Sequence, residues 1–453
     1  MKKLIVVLLL LSLPCALMAQ TKQPRKVFPY AYKIDDMPNG LRLITVPTDY
    51  PNLVSLYIVV QTGSRNEIEP GKSGYAHFFE HLMFRGSEHF TSEQRDAILK
   101  RAGADSNAYT SDDRTVYHEV FSKEDLPQIM ELEADRFKSL KYERNPYKTE
   151  ALAVLGEYNK NSASPTSKLF EVLRETAFKS HTYAHTTMGY IKDIEDFPNQ
   201  YEYSLEFFKR YYRPEYSTII VVGDVTQAQA LALTKKYWSD WQRGSYVPQI
   251  PKEPEQTEAR TAHVDWPSPT LPWVVVAFRG PAYSDTNKDK AALDLLAALA
   301  FGENSELYQR LVIKEQKATD EFGPEFGNKF DPELFSVYAQ VKKPEDVDYV
   351  RDQIMATFKR YTTELLPKKM IAETSARLRY SSALRMNSSE AIAGALAPYV
   401  SLRRTPATID KLFALYDSIT PADVRAAASR YFVDKNRTIV TLTTKTDDKG
   451  GAK

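Results

Sequence analysis

Arg210-Tyr211-Tyr212, a turn, then Thr218-Ile219-Ile220-Val221 close the first half of the chain; Arg430-Tyr431-Phe432, a turn, then Thr438-Ile439-Val440 close the second. The Arg stands eight positions before the Thr in both. Each junction carries a helical pattern through a turn into a β-branched run, the residue type that suits a pleated, half-buried surface. The halves also open alike, with apolar β-type runs at 54–60 and 274–278, each followed by a Gly-containing turn and a helical pattern. A repeated opening and a repeated close mean a repeated domain. Length agrees, because one hydrophobic core seldom organises more than ~250–300 residues and this chain has 453. The expected fold class is α+β: two tandem homologous domains, each a mainly antiparallel sheet packed against helices.

Between the halves runs Gly244-Ser245-Tyr246-Val247-Pro248, then Pro251 and Pro254 among Lys, Glu and Gln. Proline fixes φ and removes a backbone donor, so this stretch reads as an extended linker. The expected division is a first domain over 28–243, a linker over 244–262, a second domain over 263–445 and a polar tail over 446–453. At the start of the last helical pattern, Thr420-Pro421-Ala422-Asp423 places a hydroxyl cap, a first-turn proline and an acid three residues on.

The other end of the chain carries an address. Met1-Lys2-Lys3 is basic, an apolar run follows from Leu4 to Leu13 broken only by Ser12, and the small residues Ala16 and Ala19 precede Gln20. This reads as a secretory signal peptide over 1–19, too short to span a bilayer comfortably. The expected destination is the periplasm. Cys15 is the only cysteine, and Pro14 beside it fits a lipidation site poorly. A mature chain without cysteine has no disulfides and no thiolate zinc site, which leaves His and carboxylates as strong metal ligands. Lys and Arg number 60 against 59 for Asp and Glu, a net charge of +1. Such a balance gives no footing for nucleic acid or an anionic membrane as partner.

His77-Phe78-Phe79-Glu80-His81 lies within the apolar stretch 75–84, bounded by Gly74 and Gly86. Positions i, i+3 and i+4 of a helix share a face, so both imidazoles and the carboxylate point one way. Burying three such groups without partners costs ~1–3 kcal/mol each. One metal ion satisfies them together, and two histidines four apart suit zinc. The five-residue pattern is an inverted zinc-peptidase signature, with Glu80 as catalytic base. A catalytic zinc takes a third protein ligand and keeps a position open for water. The segment Thr149-Glu150-Ala151-Leu152-Ala153-Val154-Leu155-Gly156-Glu157 offers two acids seven apart, hence on one helical face, in apolar surroundings. Glu157 is the expected ligand and Glu150 the group that orients a ligand histidine.

These residues resemble the inverzincin peptidase family of pitrilysin, insulysin and the mitochondrial processing peptidase. The family motif is His-x-x-Glu-His followed some 75 residues later by a ligand Glu; Glu157 stands 76 positions after His81, with Glu150 where the family has an upstream Glu. Gly103-Ala104-Asp105-Ser106-Asn107-Ala108-Tyr109-Thr110-Ser111 is similar to the family's edge strand, which implies that Asn107 and Ala108 bind substrate backbone. His181-Thr182-Tyr183 with Gly189, and Tyr212-Arg213-Pro214 leading to Gly223-Asp224, are similar to its structural signatures. The resemblance covers nearly the whole mature chain. It implies two homologous α+β domains, one zinc per chain and hydrolysis of extended peptides or unfolded segments.

The second half departs from the family. Single-chain and homodimeric relatives carry there an Arg and a Tyr seven apart that bind substrate and steady the tetrahedral intermediate. Aligned on Ser305, Leu307 and Gln309, those positions hold Val312 and Thr319 here, and Arg310 and Lys314 are the nearest cations. This half also lacks any His-x-x-Glu-His. The split resembles the zinc-bearing subunit of bacterial two-subunit members and implies a heterodimer with a paralogous chain that supplies the Arg and Tyr. Two other readings compete: a non-enzymatic structural subunit of a larger assembly, and a zinc-binding carrier that holds extended peptides. The intact set of four residues, Glu80 above all, speaks against both.

Overall fold

The computed structural model describes residues 26–445. The expected signal peptide (1–19), Cys15 and the polar tail (446–453) lie outside the described residues. Lys33–Asp36 (β1), Arg42–Pro47 (β2), Leu53–Val60 (β3), Asp105–Thr110 (β4), Thr115–Ser122 (β5) and Ser217–Gly223 (β6) form one sheet, in the order β1-β2-β6-β3-β5-β4. Arg260–Trp266 (β7), Trp273–Arg279 (β8), Ala318–Glu325 (β9), Leu334–Val341 (β10) and Arg437–Thr444 (β11) form the other, in the order β7-β11-β8-β10-β9. Without β1 the two orders coincide strand for strand. Only β2–β6 and β7–β11 run parallel; the rest pair antiparallel. The two repeated junctions, at 210–221 and 430–440, thus enter equivalent strands, β6 and β11.

One strand lies where a linker is expected. β7 begins at Arg260, within 244–262. As an edge strand it buries a single residue fully, Val264, so its apolar signal is too thin to stand out after the prolines.

Four helices position the site: Tyr75–Leu82 (α1), Arg144–Ser162 (α2), Pro165–Ala177 (α3) and Ser389–Arg403 (α4). α1 packs beside β4 and β5, with α2 laid against it. α3, from the first half, lies on β7 and β11 of the second sheet; α4, from the second half, lies on β3 and β6 of the first. Each half thus lends a helix to the other's sheet. This explains why β3 is buried from Val54 to Val60 without interruption. Alternate residues face opposite sides of a strand. Val54, Leu56, Ile58 and Val60 join the core under α1, whereas Tyr57 and Val59 join the core shared with the second half. Each such side chain contributes ~1.5–3 kcal/mol by leaving water. The exchange makes the two domains one packed body.

Candidate metal centre

α1 has eight residues, too few to hold a helix by propensity alone, so packing must fix it. Tyr75, Phe78, Phe79 and Leu82 form its apolar face at i, i+3, i+4 and i+7, all buried. Phe78 stacks on Phe197 with ring centroids 4.8 Å apart, and Phe79 meets Tyr212 at 4.7 Å. That lock turns His77 and His81 to the opposite side.

The helix start is also tied down. Gly74 caps it at φ 82°, and a side chain there would meet the Met188 carbonyl at 2.4 Å. Gly189, at φ 76°, presses equally close on the Ser73 backbone. This is the physical content of the Gly189 signature. The Glu67 carboxylate accepts the Gly74 and Ala76 amides, both at 2.7 Å, which satisfies two donors that a helix start leaves free.

The structure brings the three expected ligands together. Nε2 of His77 and of His81 lie 3.8 and 3.7 Å from a carboxylate oxygen of Glu157, carried by α2. Ligands bound tetrahedrally at ~2.0–2.1 Å would stand ~3.3 Å apart. Small side-chain shifts would therefore close the set around a zinc ion. Among the described residues, these three are the one group of three or more His, Cys, Asp or Glu side chains spaced for a metal. The donor set fits zinc.

Electrostatics divide the two histidines. Burial, with His81 close by, lowers the pKa of His77 to about 4. The ring is then neutral at physiological pH, the form that binds a metal. Burial also disfavours charge on His81, but Nδ1 lies 2.8 Å from the buried Glu150 carboxylate and its pKa is raised. The other Glu150 oxygen pairs with Arg85. Glu150 therefore stands where a carboxylate would set the tautomer and angle of His81.

Glu80 is 8% exposed. Burial raises its pKa, the Thr110 hydroxyl donates to Oε2 at 2.5 Å, and His81 and Glu157 lie near enough to act on its charge. Thr110 ends β4, the outermost strand of its sheet, with only β5 beside it. Asn107 and Ala108 lie on β4 opposite His118 and Tyr117. The Ala108 amide donates to its own neighbour, Asn107 Oδ1, at 2.9 Å, a bond that an incoming strand would have to replace. In the other half, Val312 is buried in a π-helical turn, Thr319 on β9 donates to Gln340 on β10, and Arg310 donates to Gln353 at 2.6 Å.

Sequence reasoning missed Glu67, Arg85 and Thr110. Arg85 alone had a signal, four positions beyond His81. Glu67 and Thr110 reach α1 only through the fold.

The chain matches known proteins along its length. The family model described as Insulinase (Peptidase family M16) matches residues 43–190, and that described as Peptidase M16 inactive domain matches 200–378. The zinc protease PqqE of Helicobacter pylori is 28% identical over 441 residues, covering 96% of each chain. A probable mitochondrial-processing peptidase subunit beta of Arabidopsis thaliana is 26% identical over 427 residues, covering 89% of this chain and 77% of that one. The crystal structure of a protease from Helicobacter pylori superposes with a TM-score of 0.84 at 27% identity, over 91% of this chain and 99% of the other. With two M16 domains in tandem, this chain belongs to peptidase family M16, a family of zinc metallopeptidases.

Proposed function

We propose that the chain is a zinc-dependent endopeptidase of extended peptides and unfolded segments, with His77, His81 and Glu157 as ligands and Glu80 as general base. The observation that carries this reading is the convergence of His77, His81 and Glu157 beside Glu80. A bound zinc would supply an acidified water and a polarised scissile carbonyl. Glu80 accepts the water's proton and returns it to the leaving nitrogen. Its raised pKa suits that exchange better than that of a free carboxylate. Thr110 holds Oε2, which leaves Oε1 as the base atom. Substrate lies along β4 at Asn107 and Ala108 as an added strand, gripped by main-chain bonds with little sequence preference.

The working form is a heterodimer. Val312 and Thr319 stand where the resemblance places an Arg and a Tyr, and Arg310 is engaged by Gln353. A paralogous chain supplies the missing pair. The basic and apolar residues of 1–19 send the chain to the periplasm as a signal peptide, and among the described residues no helix is long and apolar enough to cross a membrane.

Metal analysis of the purified protein tests the site. About one zinc per chain is expected, falling to trace levels in a His77→Ala, His81→Ala double variant. Full zinc occupancy in that variant would overturn the assignment.

A further inference from the structure

The two halves also meet through equivalent hairpins. The turn of the β4–β5 hairpin (111–114) faces the turn of its counterpart, β9–β10, from the second half. Lys329 Nζ reaches Asp112 at 2.6 Å, the Phe330 amide donates to Asp113 at 2.8 Å, and Asp331 pairs with Arg65 and His181. Asp112 and Asp113 are buried, at 6% and 3% exposure. Arg174, on the exchanged helix α3, grips Asp112 with two bonds of 2.8 and 3.0 Å. Tyr183 donates to Asp113 at 2.7 Å, with the Lys329 ammonium over its ring. Burial would raise the Asp112 carboxyl, but Arg174 and Lys329 outweigh it and hold the group well below its usual range. The hairpin tip is thus an anion buried against cations, one of them from the other domain.

That tip is two residues from the site. Asp112 follows Ser111 and Thr110, and Thr110 holds Glu80. We propose that Lys329-Phe330-Asp331 is a positioning clamp through which the second domain fixes the β4 edge and, by way of Thr110, the Glu80 carboxylate. On this account the half without a metal site is needed for catalysis inside its own chain, separately from any partner. Lys329 touches no reacting atom. The proposal rests on the peptidase reading for its consequence and on the hairpin contact for its cause.

The test uses the full zinc-loaded chain. Lys329→Met should keep its zinc yet lose kcat/KM on an unstructured fluorogenic peptide by roughly 10²-fold, the scale of a small misplacement at a catalytic group. Lys329→Arg should recover most of that loss. If the effect passes through Thr110, Thr110→Val should cost less in the Lys329→Met background than in the wild type. Unchanged kcat/KM in Lys329→Met, or two losses that multiply as independent factors, would overturn the clamp. A wild-type chain that hydrolyses no peptide even with a paralogous partner carrying the Arg and Tyr would defeat the peptidase reading instead. The clamp would then be judged by amide hydrogen exchange over 105–122: faster exchange in Lys329→Met supports it, and an unchanged pattern overturns it. Should Lys329→Met fail to fold, Asp331→Asn is read in the same ways.

Discussion

Glu150 holds Nδ1 of His81 at 2.8 Å and gives its second oxygen to the Arg85 guanidinium. The carboxylate is 4% exposed, so its two partners account for its presence in the interior. Glu150→Gln keeps the shape and removes the charge. Zinc affinity should fall roughly 10–100-fold, as when such an orienting group is lost. Competition with a chelator of known strength measures it; an unchanged affinity would remove Glu150 from the metal site.

Zinc binding should release a proton. His77 is neutral, whereas Glu150 raises the pKa of His81 above that of a free imidazole despite burial. The metal must displace the His81 proton. Affinity should therefore rise with pH until it passes the raised His81 pKa, then level off, and decline as pH falls below it. Calorimetry in buffers of different ionisation enthalpy gives the proton count. No release at acidic pH would show that His81 carries no proton for the metal to displace.

Gly189 bears on stability. Its φ of 76° and the contact of 2.4 Å that a Cβ would make with Ser73 leave no room for a side chain. Gly189→Ala should lower stability by more than ~1 kcal/mol, beyond the usual entropic benefit of replacing glycine. The damage should centre on the Gly74 cap of α1. Chemical denaturation of the zinc-free protein measures the loss.

The repeat and the site were readable for different reasons. The two junctions were legible because equivalent strands β6 and β11 bury the same residue types, and α1 because its apolar residues keep helical spacing while His77 and His81 break the pattern. The exchange of α3 and α4 was not legible, since an amphipathic helix does not say which sheet it covers. Nor was Thr110, whose link to Glu80 depends on β4 ending beside α1. The strand β7 was hidden by its edge position, which asks for little apolar sequence.

The Val312 and Thr319 positions predict dependence on a partner. Each oxyanion donor absent from a comparable site costs about 2.7–4 kcal/mol, so the isolated chain should hydrolyse peptides weakly. Titrating in a paralogous chain that carries the Arg and Tyr should raise the rate to a plateau. Full activity of the isolated chain, lost on Arg310→Ala, would show instead that Arg310 leaves Gln353 to serve the site.

The peptidase reading rests on Glu80 as the base beside a zinc that His77, His81 and Glu157 would hold. Its most direct test is peptide hydrolysis by zinc-loaded Glu80→Gln, assayed with whatever partner gives the wild type its full rate. Zinc content should equal that of the wild type and the rate should fall by roughly 10²–10⁴-fold, the loss expected for an acid–base group. Hydrolysis at the wild-type rate would contradict that reading.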